Sequence, residues 1–126
     1  MKLNNRQIGA VGVQRVAGAL LRSGYSVLTP LEDYAGYDLV AEKDGKFHRI
    51  QVKTTTKMEG NKLHYRFMTS FGVDGKTAYT KKKVDLIVCW AMDEDLFWKF
   101  RTEQCRSATT KVYPRTGQSW RILGDL

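Results

Sequence analysis

The sequence has few cysteines, few prolines and no long hydrophobic run, and each shortage excludes a class of protein. The two cysteines, Cys89 and Cys105, lie far apart and outside any CxxC pair, which argues against a disulfide framework or a zinc site. No apolar run reaches the roughly 18 residues of a transmembrane helix, so no membrane partner is expected. The first five residues lack the apolar stretch of a signal peptide. We therefore expect a cytoplasmic protein that is not secreted.

What the sequence does contain is enough apolar residues for a core and an excess of positive charge. The chain has 126 residues, of which 42% are hydrophobic, and no evident linker, which predicts one domain over residues 1–126. Lysine and arginine number 21 against 13 acidic residues, a formal net charge of +8. A small domain with this charge favours an acidic partner, and nucleic acid first.

The N-terminal segment carries the signals of an amphipathic helix. Asn4 and Gln7 have the spacing of a capping box. Apolar or small residues then recur every three or four positions up to Leu20, and Gly24 is placed to end the helix. These signals predict a helix over residues 5–23.

Most of the remaining sequence is predicted to form strands. Asp44-Gly45 between two β-prone runs is a strong hairpin signal. The sequence therefore predicts an α/β (α+β) fold, a mixed β-sheet with the N-terminal helix packed on it. The predicted strands are 25–29, 37–43, 46–55, 63–69, 84–92 and 96–101, followed by one more short element.

The hairpin register predicts a cluster of polar groups. If Asp44-Gly45 is a two-residue loop, Asp38 lies opposite Gln51, and Lys53 is the diagonal neighbour on the same face. A carboxylate, a carboxamide and an ammonium would then converge. The other face of the hairpin would carry core residues, namely Leu39, Ala41, Ile50 and Val52.

These residues carry a resemblance to a known group of enzymes. The run Tyr37-Asp38-Leu39-Val40, the hairpin and Ile50-Gln51-Val52-Lys53-Thr54 resemble the PD-(D/E)xK nuclease superfamily. They are most similar to its small intron-associated homing endonucleases, in which a Gln-x-Lys form occurs. The resemblance covers roughly residues 5–100, with its diagnostic part at 36–54, and leaves a basic C-terminal segment at 101–126. It implies a restriction-endonuclease-like fold.

The resemblance also implies a chemistry, hydrolysis of DNA phosphodiester bonds assisted by Mg²⁺ or Mn²⁺. Asp38 would be the carboxylate ligand of the metal, joined by the Gln51 amide oxygen and the Val52 carbonyl. Lys53 would orient the attacking water or stabilise the phosphate. The superfamily often has a glutamate on the first helix, and the comparable position here is Gln14. With glutamine at positions 14 and 51, the site has one certain carboxylate.

Basic residues beside this cluster are the candidates for binding double-stranded DNA. Basic side chains contact phosphates and make affinity salt-dependent. The candidates are Arg49, Lys57, Arg66, Lys81, Lys82 and Lys83. One site of this kind cuts one strand, so cutting a duplex requires a homodimer or homotetramer.

Three readings of the function stay open at this point. The first is a site-specific homing-type endonuclease, and the second is a Holliday-junction resolvase, a relative of similar size and charge. The third is a catalytically silent DNA-binding module, which the two glutamines favour. An Asp–Lys pair on a hairpin is also found as an ordinary surface salt bridge.

Overall fold

A computed structural model describes residues 1–61, 63–71, 77–78, 83–114 and 124–126. They form one α-helix, nine strands and a short 3-10 helix. The helix is α1 (Asn5–Arg22), and the 3-10 helix is Thr102–Gln104. The strands are β1 (Ser26–Leu28), β2 (Leu39–Lys43), β3 (Lys46–Thr55), β4 (Tyr65–Met68), β5 (Ser70–Phe71), β6 (Thr77–Ala78), β7 (Leu86–Ala91), β8 (Leu96–Arg101) and β9 (Thr109–Val112).

Helix α1 begins and ends as the sequence predicts. The Asn4 side chain accepts from the main-chain N–H of Gln7, and the Gln7 side chain accepts from that of Asn4, both at 2.9 Å. This capping box satisfies two N–H groups that a helix start leaves without partners. Ser23 caps the other end, and Gly24 follows in the left-handed region with φ of +91°. The predicted range of 5–23 is correct to one residue.

The main sheet has five strands in the order β1-β2-β3-β7-β8. All neighbours are antiparallel except β3 and β7, which run parallel. The β2–β3 hairpin turns at Asp44 and Gly45, both with positive φ, and pairs Lys43 with Lys46 as predicted. The mixed sheet expected from the sequence is therefore confirmed.

Each face of this sheet is covered by a different layer. On one face, α1 packs against β3, with Gly12 so close to Thr54 that a Cβ at position 12 would lie 1.7 Å from the threonine hydroxyl. The core on that side contains Val16, Leu20, Leu39, Ala41, Ile50, Val52, Val88, Trp90 and Phe97. The opposite face is covered by the antiparallel pair β4–β9, and its core contains Tyr65, Phe67, Ile87, Cys89, Trp98 and Val112.

The later strands lie close to their predicted positions. β8 agrees with the predicted range, while β4 and β7 are each shorter than predicted at both ends. The one short element expected after Thr102 is two elements, the 3-10 helix and β9. No helix in the described part of the chain is both long and apolar enough to cross a membrane.

Candidate active site

The candidate site begins where β2 leaves the hairpin ladder. The last regular pair is Leu39 with Ile50, and the main-chain N–H of Asp38 donates to the carbonyl of that same Ile50 at 2.9 Å. Two consecutive residues therefore face one residue, which is the arrangement of a β-bulge. The prediction that Asp38 pairs directly with Gln51 is wrong, because the bulge ends the regular ladder one pair earlier.

The bulge directs the Asp38 side chain to the main chain of β3. Asp38 Oδ2 accepts a hydrogen bond of 2.9 Å from the N–H of Val52. The carboxylate thus takes the place that a main-chain carbonyl would have had if β2 had continued. Bulges near functional sites commonly redirect a side chain in this way.

Past this point, β3 has an edge on the β2 side with which no strand of the described residues pairs, and we call it the open edge. The carbonyls of Arg49 and Thr55 accept from the N–H groups of Asp85 and Met92, on the β7 side. Main-chain groups alternate between the two sides along a strand, so the N–H and carbonyl of Val52 both point to the β2 side. The Val52 carbonyl therefore shares an edge with the Asp38 carboxylate.

Gln51 and Lys53 lie on the sheet face that β4 and β9 cover. Their register partners on β7 are Ile87 and Cys89, whose side chains belong to the core on that face. Lys53 Nζ donates to the carbonyl of Ser70 at 3.5 Å, a long hydrogen bond. The structure thus brings Asp38, Gln51, Val52 and Lys53 to one end of β3, as the sequence predicts.

Burial disfavours the charged forms of both ionisable groups at this site. Burial raises the pKa of Asp38 above its ordinary value, although the Val52 N–H and the positive charge of Lys53 partly oppose the shift. Burial likewise lowers the pKa of Lys53, with the charge of Asp38 opposing. A bound cation would stabilise the charged form of Asp38, and a bound phosphate would stabilise the charged form of Lys53.

The oxygen atoms at this edge suit a hard divalent cation. Mg²⁺ prefers carboxylate and carbonyl oxygens and retains several waters. Asp38 supplies a carboxylate, Val52 a main-chain carbonyl and Gln51 an amide oxygen. Among the described residues, no three His, Cys, Asp or Glu side chains form a group that could hold a metal, and Asp38 is the carboxylate that this edge contributes.

Gln14 has a less favourable position. It is exposed, and it lies two positions after Gly12 and two before Val16 along the helix. This spacing turns it about 160° away from each of these buried residues. Its role beside the metal stays a prediction that this geometry does not support.

Arg49 is already bound to a carboxylate. Its main-chain N–H and its Nε donate to Asp85 Oδ2 at 2.8 and 3.0 Å, and its Nη2 donates to Oδ1 at 3.1 Å. The main-chain N–H of Asp85 donates in return to the Arg49 carbonyl at 2.9 Å. The hydrogen bond from Arg49 lowers the pKa of Asp85. We call this set of hydrogen bonds the clamp between Arg49 and Asp85. A phosphate contact by Arg49 stays a prediction, and it would involve a guanidinium that is already hydrogen-bonded to Asp85.

The remaining basic candidates differ in what the structure records of them. Lys57 is exposed just after β3. Lys83 is exposed, and its Cδ would lie 3.8 Å from a Cβ at Gly36, which places its stem beside the loop that leads to Asp38. Arg66 is on β4 and forms an ion pair with Glu59 at 2.8 Å. Lys81 and Lys82 lie outside the described residues.

Two residues near the site were not singled out by sequence reasoning. Ser70 contacts Lys53 through its main-chain carbonyl, which leaves no signal in the side-chain pattern. Asp85 did have a signal, because it is an acidic residue at the beginning of an otherwise apolar strand. Such a residue needs a partner, and Arg49 on the neighbouring strand provides it.

Comparison with known proteins gives matches over most of the chain. A family model described as PD-(D/E)XK endonuclease matches residues 3–121. Protein 5.3 of Escherichia phage T7 is 32% identical in an alignment of 110 positions, and the match covers 82% of this chain and 92% of that protein.

A similar fold is found among solved structures. The bacterial homing endonuclease I-Ssp6803I superposes with a TM-score of 0.78 over 87% of this chain and 78% of its own, at 22% identity. This likeness concerns the fold, and it confirms the mixed sheet with an N-terminal helix.

Proposed function

Since the chain belongs to the PD-(D/E)XK endonuclease family, we propose that it is a metal-dependent, site-specific DNA endonuclease of the homing type, acting in the cytoplasm. The observation that carries the proposal is the junction of Asp38 with the open edge of β3. There a carboxylate, a main-chain carbonyl and a partly buried lysine meet at one end of a strand. The match to a homing endonuclease fold supports the finer assignment.

In this proposal Asp38, Val52 and Gln51 hold the metal, because all three offer oxygen atoms. Mg²⁺ or Mn²⁺ bound there would lower the pKa of a bound water and stabilise negative charge on the phosphate. The fixed hydrogen bond from Val52 holds the Asp38 carboxylate in place before the ion arrives, which reduces the cost of ordering it.

Lys53 acts on the phosphate and the attacking water. Its ammonium can donate to a non-bridging phosphate oxygen and stabilise the charge that develops there. Because burial lowers its pKa, Lys53 also gives up a proton more easily than an exposed lysine. The hydrogen bond to Ser70 limits the directions in which the side chain can reach.

Cutting a duplex requires more than one copy. Each chain supplies a single site and therefore acts on one strand, so we propose a homodimer or homotetramer on DNA. Light scattering of the protein with and without a cleavable duplex gives the number of copies.

The test of the function is a cleavage assay with a matched carboxylate control. The protein is incubated with a pool of genomic-length duplexes and with a labelled four-way junction, in Mg²⁺ and in EDTA. Asp38→Ala is compared with Glu32→Ala, which changes an exposed acid in the loop before Asp38. Discrete Mg²⁺-dependent duplex fragments that vanish only with Asp38→Ala support the proposal. Symmetric nicks confined to the junction would replace it with a resolvase.

One observation favours a second candidate function. Asp38 is the one carboxylate in the proposed donor set, and Gln14 stands where the superfamily often has a glutamate on the first helix. A site this poor in charge binds Mg²⁺ weakly, as expected of a silent DNA-binding module. DNA retention on a filter without cutting in Mg²⁺ or Mn²⁺ would favour this candidate.

A further inference from the structure

The antiparallel pair β4–β9 has one buried face and one exposed face. Tyr65, Phe67 and Val112 point into the core beneath it. The opposite face, which we call the outer face of the ribbon, carries Arg66 and Met68 from β4 and Thr109 and Lys111 from β9. Arg66, Met68 and Lys111 are exposed, and Thr109 is half-buried.

Two positive charges lie opposite each other on the outer face, and this arrangement lowers the stability of the fold. Arg66 and Lys111 are direct register partners across the two strands. Like charges directly opposite each other destabilise a strand pair. Glu59 forms an ion pair with Arg66, but both side chains are more than a third exposed, so the pair is weak. A polyanion bound on this face would offset the repulsion.

The ribbon is fixed relative to the candidate site. Ser70, just after β4, accepts from Lys53 through its carbonyl and donates from Oγ to the Ala108 carbonyl at 3.0 Å. The Thr69 and Thr110 hydroxyl oxygens lie 2.9 Å apart. At the other end, the Tyr65 hydroxyl donates to Asp93 at 2.6 Å. The ribbon therefore cannot shift without disturbing Lys53.

The dimensions of the two layers match those of duplex DNA. Packed sheets lie about 10 Å apart, so the outer face stands roughly one layer above the strand that carries Lys53. The major groove is about 12 Å wide and about 8.5 Å deep, and it admits a two-stranded ribbon. When the outer face of the ribbon meets the floor of the groove, the phosphates at the rim lie about one groove depth back toward the main sheet. That distance brings them near the level of Lys53.

From these observations we infer that the outer face of the β4–β9 ribbon enters the major groove of the duplex that the Lys53 site cuts. The inference rests on the proposed function. Arg66 and Lys111 bind phosphates or guanine edges, and Met68 and Thr109 supply apolar contacts of the kind that thymine methyl groups accept.

A thiol crosslink tests the position of the ribbon. Met68→Cys is incubated with a mixed-sequence duplex that carries a disulfide tether on cytosine N4, in the major groove, or on guanine N2, in the minor groove. The native thiols of Cys89 and Cys105 are buried and do not compete. Lys46→Cys, on the exposed hairpin turn, is the control. We expect a crosslink from Met68→Cys to the major-groove tether only, and equal yields from both variants or from both tethers would overturn the inference.

A charge test gives an independent measurement. Lys111→Ala should weaken duplex binding and reduce the slope of log affinity against log salt by about one. Because it removes a like-charge pair, it should also raise the thermal midpoint. Lys46→Ala, the matched control, should leave the slope as it is. An unchanged slope for Lys111→Ala would remove the ribbon from the DNA.

The two proposals fail in different ways. A wild-type protein that cuts duplexes in Mg²⁺ while Met68→Cys fails to crosslink overturns the ribbon inference alone. A wild-type protein that cuts no DNA overturns the proposed function, whatever the crosslink shows.

Discussion

The Asp38 carboxylate accepts a hydrogen bond of 2.9 Å from the main-chain N–H of Val52. This contact joins the end of β2 to the strand that carries Gln51 and Lys53. It depends on the bulge at Asp38, because a regular ladder would have placed a main-chain carbonyl there instead. The Asp38 carboxylate is therefore oriented by a main-chain N–H group.

The first prediction separates the charge of Asp38 from its shape. Asp38→Asn keeps an oxygen that can accept from Val52 but removes the charge, so cleavage should be lost while duplex affinity stays within a few-fold of wild type. Adding Mn²⁺, which binds neutral oxygens somewhat better, should recover little of the activity. Cleavage assays and filter binding measure both effects, and full activity of Asp38→Asn would exclude the proposed metal site.

The second prediction concerns Lys53, where function and stability conflict. Lys53→Met should lower the cleavage rate by about 10²–10⁴-fold. It should also raise the thermal midpoint at neutral pH, because burial lowers the pKa of Lys53 and so penalises the charged form in the folded state. That penalty is complete below the folded pKa and disappears as pH rises to the ordinary lysine value, so the gain should shrink in alkali. Lys46→Met, at an exposed position, should change neither property.

The third prediction concerns the clamp between Arg49 and Asp85. Because hydrogen bonds from Arg49 lower the pKa of Asp85, the ionised carboxylate stabilises the fold above its ordinary pKa of 3.8, and this contribution is lost as pH falls through the lower folded value. Asp85→Asn should lower the free energy of unfolding by about 1–2 kcal/mol at pH 7, a value already reduced because both side chains are partly exposed. The loss should become progressively smaller in acid. Urea unfolding at several pH values measures this, with the exposed Asp33→Asn as control. Equal losses at all pH values would contradict the role of the charge.

The fourth prediction uses three glycines of the same helix. Gly12→Ala would place a Cβ 1.7 Å from the Thr54 hydroxyl, so it should destabilise by about 1–3 kcal/mol and displace α1 from the strand that carries Lys53. At Gly9 and Gly18 a Cβ meets nothing within 4 Å. Alanine there should stabilise by about 0.5–1 kcal/mol, because glycine is a poor helix former. Urea midpoints that rank the three variants otherwise would contradict the packing of α1 on β3.

The fifth prediction concerns the thiols. Burial raises the pKa of Cys89 and of Cys105, and the thiolate is the reactive form. Both cysteines should react with a thiol reagent far more slowly in the native protein than in urea. Fast labelling of either one under native conditions, followed by mass spectrometry, would show that the core beneath Lys53 opens readily.

Local signals in the sequence predicted the parts of the fold that depend on neighbouring residues. The capping box of Asn4 and Gln7 located α1, and Asp44-Gly45 located the hairpin and its register. Asp38, Gln51, Val52 and Lys53 were predicted together because one hairpin holds them all. Their proximity follows from a single turn.

Contacts between distant segments were not predictable in the same way. The pairing of β4 with β9 joins residues that no local pattern connects, so the ribbon and the contact of Lys53 with Ser70 were missed. The bulge at Asp38 was missed because an alternating pattern contains no sign of an extra residue. The sequence likewise does not show that Asp85 lies beside Arg49 and binds its guanidinium.

The parallel pairing of β3 with β7 has a consequence for the order of events during folding. Asp38 and Val52 are 14 residues apart within one hairpin, and contacts of this kind form quickly. The strand that places Cys89 beneath Lys53 pairs only after the chain has passed through β4, β5 and β6, and closing a long loop is slow. We therefore expect the Asp38 carboxylate to meet Val52 early in folding and Lys53 to gain its apolar surroundings late. The hairpin alone is sufficient to bring these two oxygen donors together, whereas the burial of Lys53 requires the long-range pairing of β3 with β7.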